Sequence, residues 1–416
     1  MSARPQTAAQ PQAVLSVNAG SSSLKFAVYP RSPAGVAQAG PAGLSGSVEG
    51  LEPGGRPAIS IRAPGAAADQ RAVAPRDGQS PFEAALAAVI AAVEQGGARL
   101  RAVAHRVVHG GSRFARSVLI DDAVLAYLES LNPLAPLHQP HNLAGVRAFR
   151  RACPGLPQVA CLDTAFHATL PEVEQRFALP ESLRDQGVRR YGFHGLSYRY
   201  VSELLTRATP RAGGRMLLAH LGNGASLCAV QAGRSVATTM GFSALDGLMM
   251  GTRSGAVDAG VLLHLLRQGW SGTQIEQLLY RQSGLLGVSG LSADMRSLRA
   301  SPERGAARAI ELFTHRVVRE CGALTACLGG LDLLGFTGGI GEHDAALRAD
   351  VCAALGFLGL RLDAAANRAA DGSAVAAIHA ADSAVELWVV PTDEGRVAAS
   401  DAMALLPADP GALPVP

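Results

Sequence analysis

Three glycine-rich turns, each following an apolar segment, are the parts of this chain best suited to chemistry. They are Asn18 to Ser23, Gly222 to Ser226 and Gly338 to Gly341. Backbone N–H groups in such turns can surround phosphate oxygens, and glycine lets the backbone approach them closely. A single turn of this kind is most often an ordinary hairpin, whereas three of them flanked by Asn, Ser or Glu favour phosphate binding. None has the spacing of the Walker or dinucleotide-binding pattern.

Two arginines lie where a freely solvated charge is uncommon. Arg106 follows an apolar segment within His105–Gly111, and Arg253 lies among glycines in Gly247–Gly255. Each forms either a structural ion pair or an anion site, because a guanidinium can hold a carboxylate or phosphate through two parallel hydrogen bonds. Lys25 is the single lysine among the 37 Lys and Arg residues of the chain. Biased composition explains a lone lysine as well as a role in phosphate binding does.

The sequence pattern predicts elements that place these residues at the ends of strands. Val14 to Tyr29 reads as a hairpin, and Met216 to Val230 as a second hairpin that echoes the first. Further strands are predicted at 102–108, 158–163, 332–337 and 385–390. Helices are predicted at 81–94, 121–131, 142–151, 197–207 with Ser197 as the cap, 258–267, 273–282, 301–328 and from 394 onward. Strands that alternate with helices predict an α/β architecture, and the echo indicates a duplicated domain.

Length and composition narrow the function classes. A chain of 416 residues is too long for one ordinary core, which favours two domains. A net charge of +3 without a basic run argues against nucleic-acid and membrane surfaces. Six scattered cysteines fit free thiols in a reducing cytosol. Residues 1–12 lack the apolar segment of a signal peptide and read as a disordered tail, so we expect a soluble cytoplasmic protein.

The motifs resemble those of the acetate kinase family in collinear order from about Val14 to Leu405, most weakly between 30 and 101. The segments that carry the resemblance are Asn18 to Phe26, His105 to Gly111, Leu134 to His138, Leu162 to His167, Arg189 to Gly195, His220 to Ser226, Gly247 to Gly255 and Phe336 to Glu342. The resemblance implies two duplicated actin-like, sugar-kinase-like α/β domains of the ribonuclease H type, with ATP in the cleft between them. It also implies a homodimer and a requirement for Mg²⁺, with Mn²⁺ as a substitute.

The resemblance also implies domain boundaries. We expect an N-terminal domain over 13–163, with 395–408 packing back onto it. A C-terminal domain for nucleotide binding and dimerisation would cover 164–394. Residues 409–416 would form a second disordered tail.

The resemblance implies a role for each matched position. Asp163, His194 and Arg253 would be catalytic, the two latter stabilising the transferring phosphoryl group. Arg106 would hold the substrate carboxylate, beside an apolar wall of Val108, Leu137, Phe193 and Ala244. Asn18 and Glu394 would be associated with the metal. The nucleotide would contact Lys25, Ser21, Ser23, His220, Leu221, Gly222, Asn223, Gly224, Asp294, Met295, Arg296, Gly339, Ile340, Gly341, Glu342 and His343.

The implied reaction is ATP + acetate = ADP + acetyl phosphate, catalysed by a phosphotransferase with a carboxyl acceptor. A carboxylate is already ionised at neutral pH, so no strong base is needed to create the nucleophile. We therefore interpret Asp163 as organising the metal or its water, and a proton-handling role stays open. Phosphoryl transfer itself needs in-line positioning and cancellation of negative charge. For His109 and His167 a structural role is favoured.

Several positions depart from the family pattern. Asp393 and Gly395 stand where the family has Asn and Glu, His343 replaces Asn, and Gln139 replaces Asn. Ala244 replaces a proline, which opens the pocket wall slightly and predicts that propionate is accepted beside acetate. One methylene in an apolar pocket is worth roughly 1–3 kcal/mol, so the selectivity should be modest.

Other functions stay open at this point. They are a kinase for propionate or butyrate, and a non-catalytic ATP-binding module of the same fold. A sugar or alcohol kinase is disfavoured, because its pocket would be polar and would need a base.

Overall fold

The computed structural model describes residues 11–20, 22–31, 39–52, 54–76 and 79–406. It divides into two compact units, one from the described residues of Met1–Ala165 and Asp393–Pro416, the other Phe166–Thr392. The expected boundaries after 163 and 394 differ from these by two residues, and the domains they bound stay a prediction. Both expected tails lie largely outside the described residues, although the first strand already begins at Gln12.

The helices of the described residues begin and end as follows: α1 Pro81–Gln95, α2 Asp122–Ser130, α3 Gln139–Ala152, α4 Glu172–Gln175, α5 Glu181–Asp185, α6 Gly195–Ala208, α7 Ala259–Arg267, α8 Gly272–Arg281, α9 Gly284–Ser289, α10 Met295–Arg299, α11 Arg304–Leu328, α12 Gly338–His343, α13 Ala345–Ala354, α14 Ala364–Ala369 and α15 Glu394–Leu405. Short 3-10 turns lie at 132–134, 165–169, 210–213 and 356–358.

The first unit is built on one sheet, whose strands within the described residues are β1 Gln12–Ala19, β2 Ser23–Pro30, β3 Leu44–Glu49, β4 Ala58–Arg62, β5 Asp69–Ala72, β6 Arg99–Val107, β7 Val118–Leu119 and β8 Gln158–Leu162. They run in the order β5-β4-β3-β2-β1-β6-β8-β7. β1, β6 and β8 are parallel, whereas β1, β2 and β3 form antiparallel pairs. The three parallel strands therefore end at the same edge of the sheet.

Helices cover both faces of this sheet and explain why its central strands are largely buried. Leu15 and Val17 of β1 pack in one core with Val89 of α1 and Phe149 of α3. α15 packs against β1 and β6. Strands buried on both faces lose the alternation of polar and apolar residues, and β8 is accordingly buried at every position.

The second unit repeats the same plan. Its described strands are β9 Arg215–Leu221, β10 Ala225–Gln231, β11 Arg234–Thr238, β12 Leu333–Thr337, β13 Ala376–Ala377 and β14 Glu386–Val389. They run in the order β11-β10-β9-β12-β14-β13, with β9, β12 and β14 parallel and β9, β10 and β11 antiparallel. The segment β3-β2-β1-β6-β8 thus corresponds to β11-β10-β9-β12-β14, and the predicted fold of duplicated α/β domains is confirmed.

Two local predictions were wrong. Ser197 does not cap α6, because the chain enters that helix through His194 in a left-handed conformation and Ser197 lies inside the first turn. Gly338 to Gly341 is not an open turn, since these residues already form α12. Within the described residues, no helix combines the length and the apolar character needed to cross a membrane.

Candidate active site

Three polar side chains of the first unit meet at the guanidinium of Arg106. Arg106 Nε donates to Asp163 Oδ1 at 3.1 Å, and Nη2 bonds Oδ2 of the same carboxylate. Nη1 donates to Asn18 Oδ1 at 3.4 Å, and Nε lies 3.4 Å from Glu394 Oε2. A guanidinium carries five N–H groups, so two of them remain for a ligand as far as the described residues go. We call Asn18, Arg106, Asp163 and Glu394 the charged cluster.

The parallel strands bring the charged cluster together. Asn18 lies near the carboxyl end of β1, Arg106 near that of β6, and Asp163 directly after β8. The Asp163 N–H donates to the Val107 carbonyl at 3.1 Å, which extends the ladder to the carboxylate. The carboxyl ends of parallel strands form the usual ligand site of α/β sheets. Glu394 joins them as the first residue of α15, where an acidic side chain is favoured by the helix dipole.

Burial controls the electrostatics of the charged cluster. The Asp163 side chain is 1% exposed, and its burial raises the carboxyl pKa to about 6, with Arg106 opposing and Glu394 adding to the rise. Burial alone would lower the pKa of Arg106, but the Asp163 and Glu394 carboxylates outweigh it and raise that pKa. Two carboxylates face one guanidinium, which leaves an excess of negative charge suited to a cation.

Two amides hold the segment that follows β6. Asn142 Oδ1 accepts from the Val108 N–H at 3.1 Å, while its Nδ2 donates to the Ala19 carbonyl of the first glycine-rich turn at 2.7 Å. Gln139 accepts from the His109 N–H at 3.0 Å and donates to the His109 carbonyl at 2.9 Å. Val108 is buried, and Leu137 is half-buried just before α3. Gln139, a departure from the family pattern, therefore supports this segment.

The predicted phosphate-binding residues of the first hairpin lie beside the charged cluster in the chain. Lys25 is exposed on β2, directly opposite Asn18 in the ladder. The Ser23 carbonyl accepts from the Gly20 N–H at 2.8 Å and closes the turn. Ser21, also predicted to contact the nucleotide, lies outside the described residues.

In the second unit, His194 has an unusual backbone conformation. Its φ of 58° is in the left-handed region, which a non-glycine residue occupies at a cost of about 1–3 kcal/mol and most often at functional sites. The preceding Phe193 is buried, and its carbonyl lies 2.8 Å from His167 Nε2. A Cβ at Gly192 would lie 2.6 Å from the His167 ring, so only glycine fits there. His167 thus has the structural role predicted for it.

His194 lies in a cluster of hydrogen-bonding side chains. Its ring stacks on His220, with centroids 4.2 Å apart and planes at 23°. Its Nδ1 lies 2.8 Å from Ser226 Oγ. We call His194 and His220 the histidine pair. It is positioned by α6 and by the β9–β10 hairpin, in which Leu221 ends β9 and Gly222, Asn223 and Gly224 form the turn.

Gly224 brings Arg253 to the same place. A Cβ at Gly224 would lie 2.7 Å from Arg253 Nη2 and 3.2 Å from His194 Nε2, so nitrogen atoms of both side chains border this glycine. Arg253 Nη1 donates to the Ala244 carbonyl at 2.5 Å, which anchors the guanidinium. Ala244 therefore contacts a predicted catalytic residue through its backbone, whatever its side chain does for the pocket.

The predicted nucleotide contacts on α10 and α12 differ in their surroundings. Asp294 caps α10, and its Oδ1 lies 3.3 Å from Nε of the largely exposed Arg296, while Met295 is buried. In the first turn of α12, Gly339 is exposed and Ile340 is half-buried, next to the buried Gly341. His343 Nδ1 lies 2.7 Å from the Asp371 carbonyl.

Glu342, which is predicted to contact the nucleotide, also makes structural hydrogen bonds. Its Oε1 accepts from the Gly338 N–H at 2.8 Å and from the Thr392 N–H at 3.1 Å, so it joins α12 to the end of the unit.

Arg348 supports α12, which carries predicted nucleotide contacts, and the sequence analysis did not select it. It is fully buried and donates to the carbonyls of Gly341 at 2.9 Å and Glu342 at 2.8 Å. It also bonds the Asn367 carbonyl and the Ala370 carbonyl, at 2.8 and 2.9 Å. A buried guanidinium that bonds backbone oxygens fixes the conformation of the glycine-rich α12. Its position four residues into an apolar helix would have been the one available signal.

The oxygen donors of the charged cluster fit a magnesium ion. Mg²⁺ prefers carboxylate and amide oxygens and usually takes one or two carboxylates together with substrate phosphates and water. Asn18, Asp163 and Glu394 offer such donors. Across the described stretches of the chain, no group of three or more His, Cys, Asp or Glu side chains forms a self-contained metal site. A self-contained protein site is not required for Mg²⁺, because substrate phosphates and water can supply its remaining ligands.

Comparisons with known proteins agree with this geometry. A profile described as the acetokinase family matches residues 13–400. The chain is 55% identical over 299 residues to an acetate kinase of Rhodopseudomonas palustris, which covers 71% of this chain and 75% of that protein. Two crystal structures are similar over nearly the full length. An acetate kinase of Porphyromonas gingivalis has 36% identity and a TM-score of 0.84, covering 95% of this chain and 99% of that one. A propionate kinase of Francisella tularensis has 34% identity and a TM-score of 0.85, covering 94% and 98%.

Proposed function

Because this chain belongs to the acetokinase family, we propose that it transfers the terminal phosphoryl group of ATP to acetate, giving ADP and acetyl phosphate. The observation that carries the proposal is the charged cluster, in which a half-buried arginine with two N–H groups left for a ligand lies between two carboxylates. That arrangement suits an anionic substrate next to a cation, and it does not suit a sugar hydroxyl that must be deprotonated.

The acid is bound and oriented by the first unit. The free N–H groups of Arg106 hold one oxygen of the substrate carboxylate, and Val108 and Leu137 face its methyl group. Asp163 keeps the guanidinium in place through two hydrogen bonds. The other carboxylate oxygen attacks the terminal phosphorus of ATP, a new P–O bond forms, and the bond to the β-phosphate oxygen breaks with ADP leaving. No proton is transferred, since the nucleophile is already ionised.

The second unit binds the nucleotide and stabilises the transferring group. His194 and Arg253, which border Gly224, donate N–H groups to oxygens that gain charge in the transition state. Backbone N–H groups of the β9–β10 turn and of α12 bind the remaining phosphates. When bound, Mg²⁺ supplies charge neutralisation of the phosphates, and Asn18, Glu394 and Asp163 would hold it.

Propionate is a second substrate that one residue favours. Ala244 replaces the family's proline at the pocket wall, and a similar structure is that of a propionate kinase. The smaller side chain should leave room for one more methylene. Steady-state kinetics of the wild type and of Ala244→Pro with both acids would test this. We expect the proline variant to lower the propionate-to-acetate ratio of kcat/KM by about 10-fold. An unchanged ratio would show that Ala244 does not determine the choice between the two acids.

The proposed activity is tested by ADP release over the acids from formate to butyrate, with Mg²⁺ and ATP. We expect acid-dependent ADP release that is greatest with acetate or propionate and is lost in Arg106→Ala. A matched control is Arg150→Ala, which removes an arginine that pairs with Asp122 at the surface. Release that needs no acid would indicate an ATPase, and release that peaks with butyrate would change the substrate.

The homodimer expected from the resemblance is also a proposal. No residue of α7 is buried, although the helix carries Val261, Leu263 and Leu266, which are 45%, 52% and 49% exposed. Exposed apolar residues so close together favour a covered surface. We propose that a second copy of the chain covers α7. Light scattering should give a dimer for the wild type and a monomer for Leu263→Asp, and a monomeric wild type would contradict the proposal.

A further inference from the structure

A chain of hydroxyl groups ends on the ring nitrogen of His194 that faces away from Gly224. Ser226 Oγ lies 2.8 Å from His194 Nδ1, and Tyr198 Oη lies 2.5 Å from Ser226 Oγ. Tyr198 and Ser226 are fully buried. Water therefore does not compete for these bonds, and each proton must have a defined position.

A second chain of the same kind ends on His220. Ser197 Oγ lies 2.8 Å from His220 Nδ1, and Thr392 Oγ1 donates to Ser197 Oγ at 2.9 Å. The stacked histidines are thus each bonded through Nδ1 to a serine, and each serine has a second hydroxyl behind it. The sequence analysis interpreted Ser197 only as a helix cap and Ser226 only as a residue of a glycine-rich turn.

The direction of the bonds follows from the hydrogens that are present. A hydroxyl has a single hydrogen. Ser197 accepts from Thr392, so its own hydrogen is free to point at His220 Nδ1.

For Ser226 the neighbour is Tyr198. Burial raises the pKa of Tyr198 well above its ordinary value, so its phenol stays protonated. The phenol has a single hydrogen, and Ser226 Oγ is its hydrogen-bond partner at 2.5 Å, so Ser226 accepts that hydrogen. Ser226 therefore donates to His194 Nδ1.

We propose that the Tyr198–Ser226 and Thr392–Ser197 pairs fix both imidazoles of the histidine pair in the Nε2–H tautomer. Each ring then presents an N–H group on its other side, and that of His194 borders Gly224 beside Arg253. Tyr198, Ser226, Ser197 and Thr392 are positioning residues, since they act through the histidines. The opposite tautomer would turn a lone pair toward an anionic phosphoryl oxygen. The consequence for turnover rests on the function proposed above, whereas the tautomer itself does not.

The tautomer can be measured without turnover. The ¹⁵N resonances of histidine-labelled full-length protein, recorded at mildly alkaline pH and assigned with His194→Gln and His220→Gln, separate protonated from unprotonated ring nitrogens. We expect unprotonated Nδ1 and protonated Nε2 in both rings. Ser226→Ala should raise the Nδ1–H population of His194 alone, and Ser197→Ala that of His220 alone. Protonated Nδ1 in the wild type would overturn the proposal, whatever the enzyme's activity.

Kinetics test the consequence. Ser226→Ala and Tyr198→Phe should lower kcat about 10- to 100-fold with little change in the KM of the acid, and Ser226→Thr, which keeps the hydroxyl, should recover most of it. The control is Ser202→Ala, because among the described residues no hydrogen bond joins this buried serine of α6 to either imidazole. If Ser202→Ala lost as much kcat as Ser226→Ala, or if Ser226→Thr did not recover kcat, Ser226 would have only a packing role. If no acid accepts phosphate but the resonances are as expected, the proposed function fails and the tautomer assignment stands.

Discussion

The two units share a strand order and direction, yet their functional side chains differ in charge. The sheet of the first unit ends in the charged cluster, with one guanidinium between two carboxylates. The corresponding sheet of the second unit ends in uncharged donors, namely the histidine pair, two serines and the backbone of glycine-rich turns. Arg253 is the exception, and its guanidinium donates to the Ala244 carbonyl.

This difference indicates a division of labour on a duplicated scaffold. Opposite charges in one unit suit a cation and a small anion, whose binding depends on net charge. Neutral donors in the second unit suit phosphate oxygens, because these oxygens are bound by many directed N–H groups. The donors do not have to cancel the phosphate charge. The predictions below test whether the two halves fail in different ways.

Asp163→Asn should have the largest effect. The amide keeps the shape of the side chain but leaves Arg106 without its buried counter-charge and alters both hydrogen bonds. We expect a loss of kcat/KM of about a thousand-fold or more, because the guanidinium and the metal donors are disturbed together. The measurement is ADP release at saturating Mg²⁺. Asp122→Asn is the control, since Asp122 is exposed, and equal activity of the two variants would contradict the role of the charged cluster.

His194→Gln should lower activity less than Asp163→Asn, and the loss should appear in kcat. It removes one neutral donor near the transferring group, for which a loss of about 10²- to 10³-fold in kcat is typical. The KM of the acid should change little, because we propose that the acid binds in the other unit. His315→Gln, which alters an exposed histidine of α11, is the control. If His194→Gln had a normal kcat and a raised KM for acetate, the proposed difference in function between the two units would be wrong.

Much of this comparison could be predicted from the sequence, but not its most specific parts. The two hairpins were predictable because apolar alternation and glycines mark them locally. The meeting of Asn18, Arg106 and Asp163 depends on which strands pair in parallel, which no local pattern encodes; only the family resemblance linked them. Ser197 was misread because a serine before an amphipathic segment usually caps it, whereas here the left-handed His194 begins the helix. The roles assigned to the site residues remain predictions.

Tyr29→Phe should produce a smaller effect confined to the first unit. Tyr29 Oη donates to Asp393 Oδ1 at 2.6 Å, and Asp393 caps α15 by accepting from the Arg396 N–H at 3.0 Å. A Cβ at Gly395 would lie 2.6 Å from the same hydroxyl, so both departures from the family motif fit this tyrosine.

Loss of the hydroxyl should loosen the helix start that carries Glu394. We expect the Mg²⁺ concentration for half-maximal activity to rise about 10-fold, as for other groups that orient a metal ligand. Titration of activity with Mg²⁺, with Tyr200→Phe of α6 as the control, measures it. An unchanged Mg²⁺ requirement would leave Asp393 with a capping role alone.

The smallest effect is one that the two units should share. Burial lowers the pKa of His105 in the first unit and of His167 in the second to about 4, from an ordinary value of 6.5. The unfolded chain therefore binds more protons between these values, and stability is lost as the pH falls from 6.5 towards 4. Each histidine should contribute up to about 3 kcal/mol to that loss.

Acid unfolding followed by circular dichroism would measure this. His105→Gln and His167→Gln should each make the free energy of unfolding less dependent on pH over this range. Variants as acid-sensitive as the wild type would show that other groups dominate.

The most direct test of the account is to trap the product. Purified protein is incubated with ATP, Mg²⁺ and acetate in the presence of hydroxylamine, which converts an acyl phosphate to a hydroxamate. We predict hydroxamate in an amount that matches the ADP released, and none from Arg106→Ala. ADP without hydroxamate, with acetate and with every other acid from formate to butyrate, would contradict phosphoryl transfer to a carboxylate.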